Sequence, residues 1–259
     1  MTITTTRQRE QWLRPLRVQD VPRLRLVCFP HAGGAAGFFK TWGTRLPDGV
    51  ELYGVQYPGR QDRLREPPAT TMDELAGPAA DVLEPMSEVP LALFGHSMGA
   101  AVAHETARRL EAVLDGPLAG LIVSGRPAPD RLHRTDVHLG GEQALLEDLR
   151  RLGGTSEEVL DDPALRELIL PTLAADYRMI ETYRPRDLTP IRTPVCACVS
   201  DADPEVEPDE AAAWERHTTG PFRLRLFPGD HFYLVPQQDE LVQQVLLCCG
   251  LSGRWPSTP

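Results

Sequence analysis

Residues 94–100 read FGHSMGA and place Ser97 between Gly95 and Gly99 at G-x-S-x-G spacing. Glycine supplies 21 of the 259 residues, so the spacing alone can arise by chance and its flanks decide its meaning. Immediately upstream, LALF (91–94) is a short apolar run that reads as a buried strand. Immediately downstream, Ala100, Ala101 and Ala103 open a helical pattern over 97–114. A strand that turns sharply through glycine into a helix is a nucleophile elbow. The glycines permit the tight turn and close packing against it. The serine then stands at a helix N-terminus, where backbone N–H groups favour developing negative charge.

Working outward, further apolar runs predict strands over 24–29, 51–56, 120–124, 195–200 and 222–227. Several are nearly continuous in apolar residues, as parallel strands covered on both faces are. Helical patterns over 72–86, 97–114, 208–217 and 237–249 alternate with them. The fold class is therefore α/β: a mostly parallel central sheet with helices on both faces. The alternation breaks over 126–190, where no strand is predicted. Leu145, Leu146, Leu149 and Leu152 share one helical face that ends at Gly153. A second helix begins with Asp162 as cap and Pro163 at its first position, and Pro171 is expected to kink or split it. About 65 residues exceed what a strand–helix–strand crossover needs. We expect one domain over 1–259, with its core at about 20–125 and 191–250 and a helical lid inserted at 126–190.

Composition narrows the function classes. A hydrophobic content of 41% and a charged content of 25% are those of a soluble globular protein. Lysine plus arginine number 27 against 37 acids, a net charge of −10 that argues against bulk nucleic-acid binding. No apolar run approaches the ~20 residues of a membrane span. The N-terminus lacks the apolar centre of a secretory signal, so a cytoplasmic protein is the expectation, with a monomer as the default. The five cysteines include no C-x-x-C pair and read as reduced, mostly buried thiols, with Cys196 and Cys198 taken to face opposite sides of a strand. No metal site is read. One local basic run, GRQDRLR (59–65), carries Arg60, Arg63 and Arg65.

A serine hydroxyl needs a base. Of His31, His96, His104, His133, His138, His217 and His231, only His231, in FPGDHFYL, directly follows the last strand. It thus shares with Ser97 the carboxyl end of the sheet, where sites in such folds lie. The acid that orients the imidazole should follow another strand. VCACVSDADPEVEP offers Asp203, in a turn before Pro204 and placed to reach across, and Asp201 as the alternative or as a brace for the loop. Two N–H donors are needed for the oxyanion. Met98 follows the serine. Ala32 lies in CFPHAGGAAG, where Gly33 and Gly34 let the backbone turn. HAGG lacks both the dinucleotide fingerprint and the Walker lysine.

In combination, FPHAGG, YPGRQDRLREP, FGHSMGA, DADPEVEPDEAAAWERHT and FPGDHFYL resemble the type II thioesterases, the discrete editing hydrolases of polyketide synthase and non-ribosomal peptide synthetase pathways in antibiotic biosynthesis. The resemblance runs from WLRPL to about Leu247. It implies an α/β-hydrolase fold with a helical lid, a Ser97–Asp203–His231 triad and an oxyanion hole at Ala32 and Met98. It also implies hydrolysis, through an acyl-enzyme, of acyl thioesters on the phosphopantetheine arm of acyl or peptidyl carrier proteins, with no cofactor of the enzyme's own. Asp230 departs from the glycine expected before the histidine. Arg60, Arg63 and Arg65 are candidates for docking an acidic carrier. An acyltransferase or carboxylesterase on the same core is the alternative, because the triad does not separate water from another acceptor. A non-catalytic acyl- or carrier-binding module is a second. Phe38, Phe39 and Tyr177 are candidates for a channel lining or for core.

Overall fold

In the computed structural model, which describes residues 3–154 and 161–251, the runs predicted from apolar patterning form strands. These are β2 (Leu24–Phe29), β3 (Val50–Val55), β4 (Leu91–His96), β5 (Gly120–Ser124), β6 (Val195–Ser200) and β7 (Phe222–Phe227). A further strand, β1 (Leu13–Arg17), pairs antiparallel with β3 at the sheet edge. Its sequence, LRPLR, carries a proline that an edge strand tolerates and no clear alternation. The seven strands lie in the order β1-β3-β2-β4-β5-β6-β7, and every pair except β1–β3 is parallel.

The helices are α1 (Ile3–Trp12), α2 (Met72–Leu83), α3 (Met98–Val113), α4 (Gly141–Leu152), α5 (Pro163–Thr182), α6 (Pro208–Ala212) and α7 (Gln238–Cys248). Side chains on β2 show how the layers assemble. Val27 and Phe29 pack with residues of α2 and α3, whereas Leu26 and Cys28 pack on the other side with Leu241, Val242 and Val245 of α7. That alternation is the two-residue period of a strand buried on both faces. The same period corrects the expectation for Cys196 and Cys198. Residues two apart share a face, and the two sulfurs lie 3.9 Å apart in one cluster.

Between β5 and β6 the chain leaves the sheet and forms α4 and α5, with residues 155–160 of this segment outside the described residues. Leu145, Leu146 and Leu149 of α4 pack against Leu173 and Tyr177 of α5, with Ala32 at the margin of the cluster. Asp162 caps α5, accepting from the Ala164 and Leu165 N–H groups. Pro171 does not split α5, which continues to Thr182. Proline removes one N–H, and the turns beyond it are anchored by the buried Leu173, Asp176 and Tyr177.

The chain passes from β2 outward to β3, then returns to β4 on the other side of β2. The strand order thus reverses between β2 and β4, which opens a crevice beyond their carboxyl ends. Ser97 and the Ala32 loop both follow these strands directly. Among the described residues no helix is long and apolar enough to cross a membrane.

Candidate active site

Ser97 occupies the one residue between β4 and α3, and its backbone is φ 53°, ψ −120°. A non-glycine residue rarely holds a positive φ, and such strain is typical of an elbow that projects its side chain. The surroundings enforce the turn. The Ser97 N–H donates to the Ser124 carbonyl at 2.8 Å. A Cβ on Gly95 would lie 2.2 Å from the Gly99 carbonyl oxygen, and one on Gly99 would lie 2.1 Å from the Phe29 oxygen. Both glycines are therefore required by close backbone approach.

His231 follows β7 and Asp203 follows β6, and the two loops meet. The His231 Nδ1–H donates to the Asp203 carboxylate, with 2.9 and 3.0 Å to its two oxygens. Both side chains are fully buried. The Glu205 N–H also donates to Asp203 Oδ1 at 2.9 Å, which holds the carboxylate in its turn. Asp201 takes the bracing position instead, accepting from the Gly229 N–H in the loop that carries the histidine. At the position where glycine was expected, Asp230 accepts from the Phe232 N–H at 2.9 Å, and its carbonyl accepts from Ser200.

Ser97, Met98, Ala32 and His231 line one cavity of about 110 Å³ beneath α4 and α5. His231 Nε2 is buried and has no hydrogen-bond partner among the described residues. Ser97 therefore shares the cavity with the imidazole without being hydrogen-bonded to it. Such bonds are often loose without substrate and tighten when it binds. Outside regular helix and strand pairing, neither the Ala32 nor the Met98 N–H is used in a hydrogen bond among the described residues. Tyr177 also lines the cavity and donates to Asp148 at 2.7 Å, whereas Phe39 belongs to the core. A larger depression of about 630 Å³ between α2, α3 and the end of α5 contains none of these groups.

Two neutral imidazoles wall the histidine. The His96 ring lies 4.8 Å from that of His231, and its Nδ1 meets Ser124 Oγ at 2.9 Å, which in turn meets the Tyr233 hydroxyl at 2.7 Å. Burial, then the nearby His231 and His31, push the His96 pKa well below the usual histidine value. His31, edge-on to Phe38 and Phe232, is lowered to about 3, chiefly by burial and then by His231 and Arg60. Neither ring gains a proton at neutral pH, so no imidazolium faces His231 from this side.

Arg126 also lines the cavity. Its side chain makes no hydrogen bond or ion pair among the described residues, and its Nε is buried. Burial lowers its pKa to about 10. It directly follows β5 and Gly125, so its place at a strand's carboxyl end was a signal that the sequence offered.

The arginine run is not a free basic patch. Arg60 is 5% exposed and forms a two-pronged ion pair with Asp176 of α5. Arg63 is 6% exposed, pairs with Glu66 and lies over the Trp12 ring. Both guanidiniums are turned inward, which corrects their reading as carrier-docking residues. Only Arg65 of the three is exposed.

Comparison with known proteins identifies the family and fold of the chain. The sequence model of the thioesterase domain matches residues 24–246. Thioesterase PikA5 of Streptomyces venezuelae is 44% identical over 235 residues, covering 90% of this chain and 84% of that protein. The gramicidin S biosynthesis protein GrsT of Aneurinibacillus migulanus is 33% identical over 242 residues, covering 93% and 94%. The solved structure of the type II thioesterase BorB, from the borrelidin biosynthetic cluster, superposes with a TM-score of 0.85 at 43% identity, covering 92% of this chain and 97% of that one.

Proposed function

The chain belongs to the thioesterase family, and from that premise we propose that it removes acyl groups from the phosphopantetheine thiol of carrier proteins by a Ser97–His231–Asp203 mechanism. The observation that carries this reading is the strained Ser97 backbone at the head of α3, opening into the same cavity as an imidazole clamped through Nδ1 by a buried carboxylate.

In the reaction, His231 Nε2 takes the Ser97 proton as Oγ attacks the thioester carbonyl carbon. The carbonyl oxygen becomes an oxyanion and receives hydrogen bonds from the Ala32 and Met98 N–H groups. Collapse of this intermediate breaks the C–S bond, and the imidazolium returns its proton to the departing sulfur. An acyl-serine ester and a free pantetheine thiol result. Water then attacks the ester while His231 removes its proton. The second collapse releases the carboxylic acid and restores Ser97. Asp203 holds the imidazole in the Nδ1–H tautomer and stabilises the imidazolium. Thiolate is a good leaving group, so base catalysis matters most for activating Ser97 and the water.

In this reading α4 and α5 form the lid. The cavity beneath them is smaller than the ~300 Å³ lower bound typical of ligand pockets, so an acyl chain enters as α4, which also lines it, shifts. The partner is a carrier protein of a modular synthase, a reading that the biosynthetic settings of GrsT and BorB support. The test is intact-mass analysis of acyl-loaded carrier proteins incubated with the enzyme. Loss of the acyl mass with the pantetheine arm retained is expected. Carriers that keep their acyl groups, or lose the whole arm, would refute the proposal.

A further inference from the structure

The loop that carries Ala32 is held from the lid by a single carboxylate. Asp176, in the middle of α5, is wholly buried. Its Oδ2 accepts from the Gly33 N–H at 2.8 Å and from Arg60 Nη1 at 2.8 Å, and its Oδ1 accepts from Arg60 Nη2 at 2.9 Å. Arg60 Nη1 also donates to the Gly34 carbonyl at 3.0 Å. One ion pair therefore brackets the Gly33–Gly34 segment, taking an N–H at one end and a carbonyl at the other. Gly33 has φ 73°, and a Cβ there would lie 3.0 Å from Leu173 Cδ1, so α5 also packs directly against this turn. From the other side Arg60 stacks over Tyr57, and Thr172 of α5 donates to the Gly59 carbonyl.

A buried ion pair is a costly way to gain stability, and an apolar pair of similar volume often serves as well. The geometry points to a different role for this one. We propose that Asp176 is a positioning residue for the oxyanion hole: it fixes the peptide next to Ala32, and because it sits on α5, the hole is complete only while the lid helix is seated. This inference rests on the reading of Ala32 as an oxyanion donor. Arg60 acts through Asp176, holding its carboxylate and the Gly34 carbonyl at once. Neither residue touches the reacting atoms. Lid seating would then license chemistry, and a substrate that wedges α5 outward would be bound without being turned over.

The test separates positioning from stability. Truncating Asp176 alone leaves a buried, unpaired Arg60 and risks unfolding. The double variant Arg60→Met with Asp176→Leu removes both charges and the acceptor for the Gly33 N–H. Asp176→Asn keeps an acceptor there and loses the charge. Each is assayed with a small N-acetylcysteamine acyl thioester and with an alkyl trifluoromethyl ketone, which forms a serine adduct carrying an oxyanion. For the folded double variant, kcat should fall on the order of 10²-fold, the size of a lost oxyanion donor, with KM changed by less than about threefold. Trifluoromethyl ketone affinity should fall in parallel with kcat. Asp176→Asn should lie between this variant and wild type in both readouts. A folded variant of either kind that keeps wild-type kcat and ketone affinity overturns the proposal. Should the double variant fail to fold, Asp176→Asn alone decides by the same two readouts. Ser97→Ala run alongside distinguishes the failures: if it too keeps full activity, the serine mechanism is wrong, whereas its loss beside fully active lid variants removes only this inference.

Discussion

Acid should unfold this protein along a slope set by buried neutral histidines. His31 and His104 are pushed down to about 3 and His96 well below the usual value, in each case chiefly by burial. In the unfolded chain each takes up a proton near pH ~6.5. The unfolded state thus binds more protons below ~6.5, down to about pH 3 for His31 and His104, so their stabilising contribution is complete above ~6.5 and is lost as pH falls toward the folded values. One proton corresponds to ~1.4 kcal/mol per pH unit, so three histidines give a slope of roughly 4 kcal/mol per unit once the pH is well below 6.5. A domain with about 10 kcal/mol of stability would exhaust it near pH ~4. His104 offers a clean control. It sits on α3 with its ring 5.0 Å from that of Trp214 and does not line the catalytic cavity. His104→Leu should lower the slope by one proton, to roughly 2.7 kcal/mol per unit. The assay is urea unfolding followed by circular dichroism at steps from about pH 7.5 to 5, a window that stays above most carboxylate titration. Equal slopes for wild type and His104→Leu, or stability that stays flat across this window, would show that these histidines do not set the acid limit.

Other outcomes follow from the site itself. Asp203→Asn should leave the fold intact and lower kcat by about 10⁴-fold, because the amide favours the wrong imidazole tautomer; steady-state kinetics on an acyl thioester checks it, and a loss under tenfold would remove Asp203 from the mechanism. Gly99→Ala drives a methyl to within 2.1 Å of the Phe29 oxygen. Its urea midpoint should drop by the equivalent of about 3 kcal/mol or more, with activity lost from the part that remains folded; an unchanged midpoint would show that β2 and α3 are not in such close approach.

The readable parts of this sequence are those whose physics is local. Gly95 and Gly99 flank Ser97 within one turn, so the spacing in FGHSMGA carries the backbone requirement directly. Asp203 and His231 lie on separate loops, but each follows a strand end, and parallel strands deliver such loops to one edge. Where the reading failed, the deciding partner was distant or the pattern weak. Arg60 looked like surface charge because its partner, Asp176, lies 116 residues away on another element. Its burial is a property of the assembled fold, and a charge in a loop says nothing about which side chain will meet it. Pro171 looked like a helix breaker because local propensity omits the packing of Leu173 and Tyr177 that holds the following turns. β1 was invisible because LRPLR acquires its strand geometry from the edge of β3. Cys196 and Cys198 involve no distant partner, since the two-residue period of a strand by itself places both sulfurs on one face.

In the proposed mechanism Ser97 carries the acyl group between carrier and water. The most direct measurement of this transfer is intact-mass and peptide analysis of enzyme quenched in acid during turnover of an acyl thioester. An added acyl mass is expected on the peptide containing Ser97, absent from Ser97→Ala, whose turnover falls on the order of 10⁴–10⁶-fold. An acyl group found on another residue, or Ser97→Ala turning over at the wild-type rate, would contradict it.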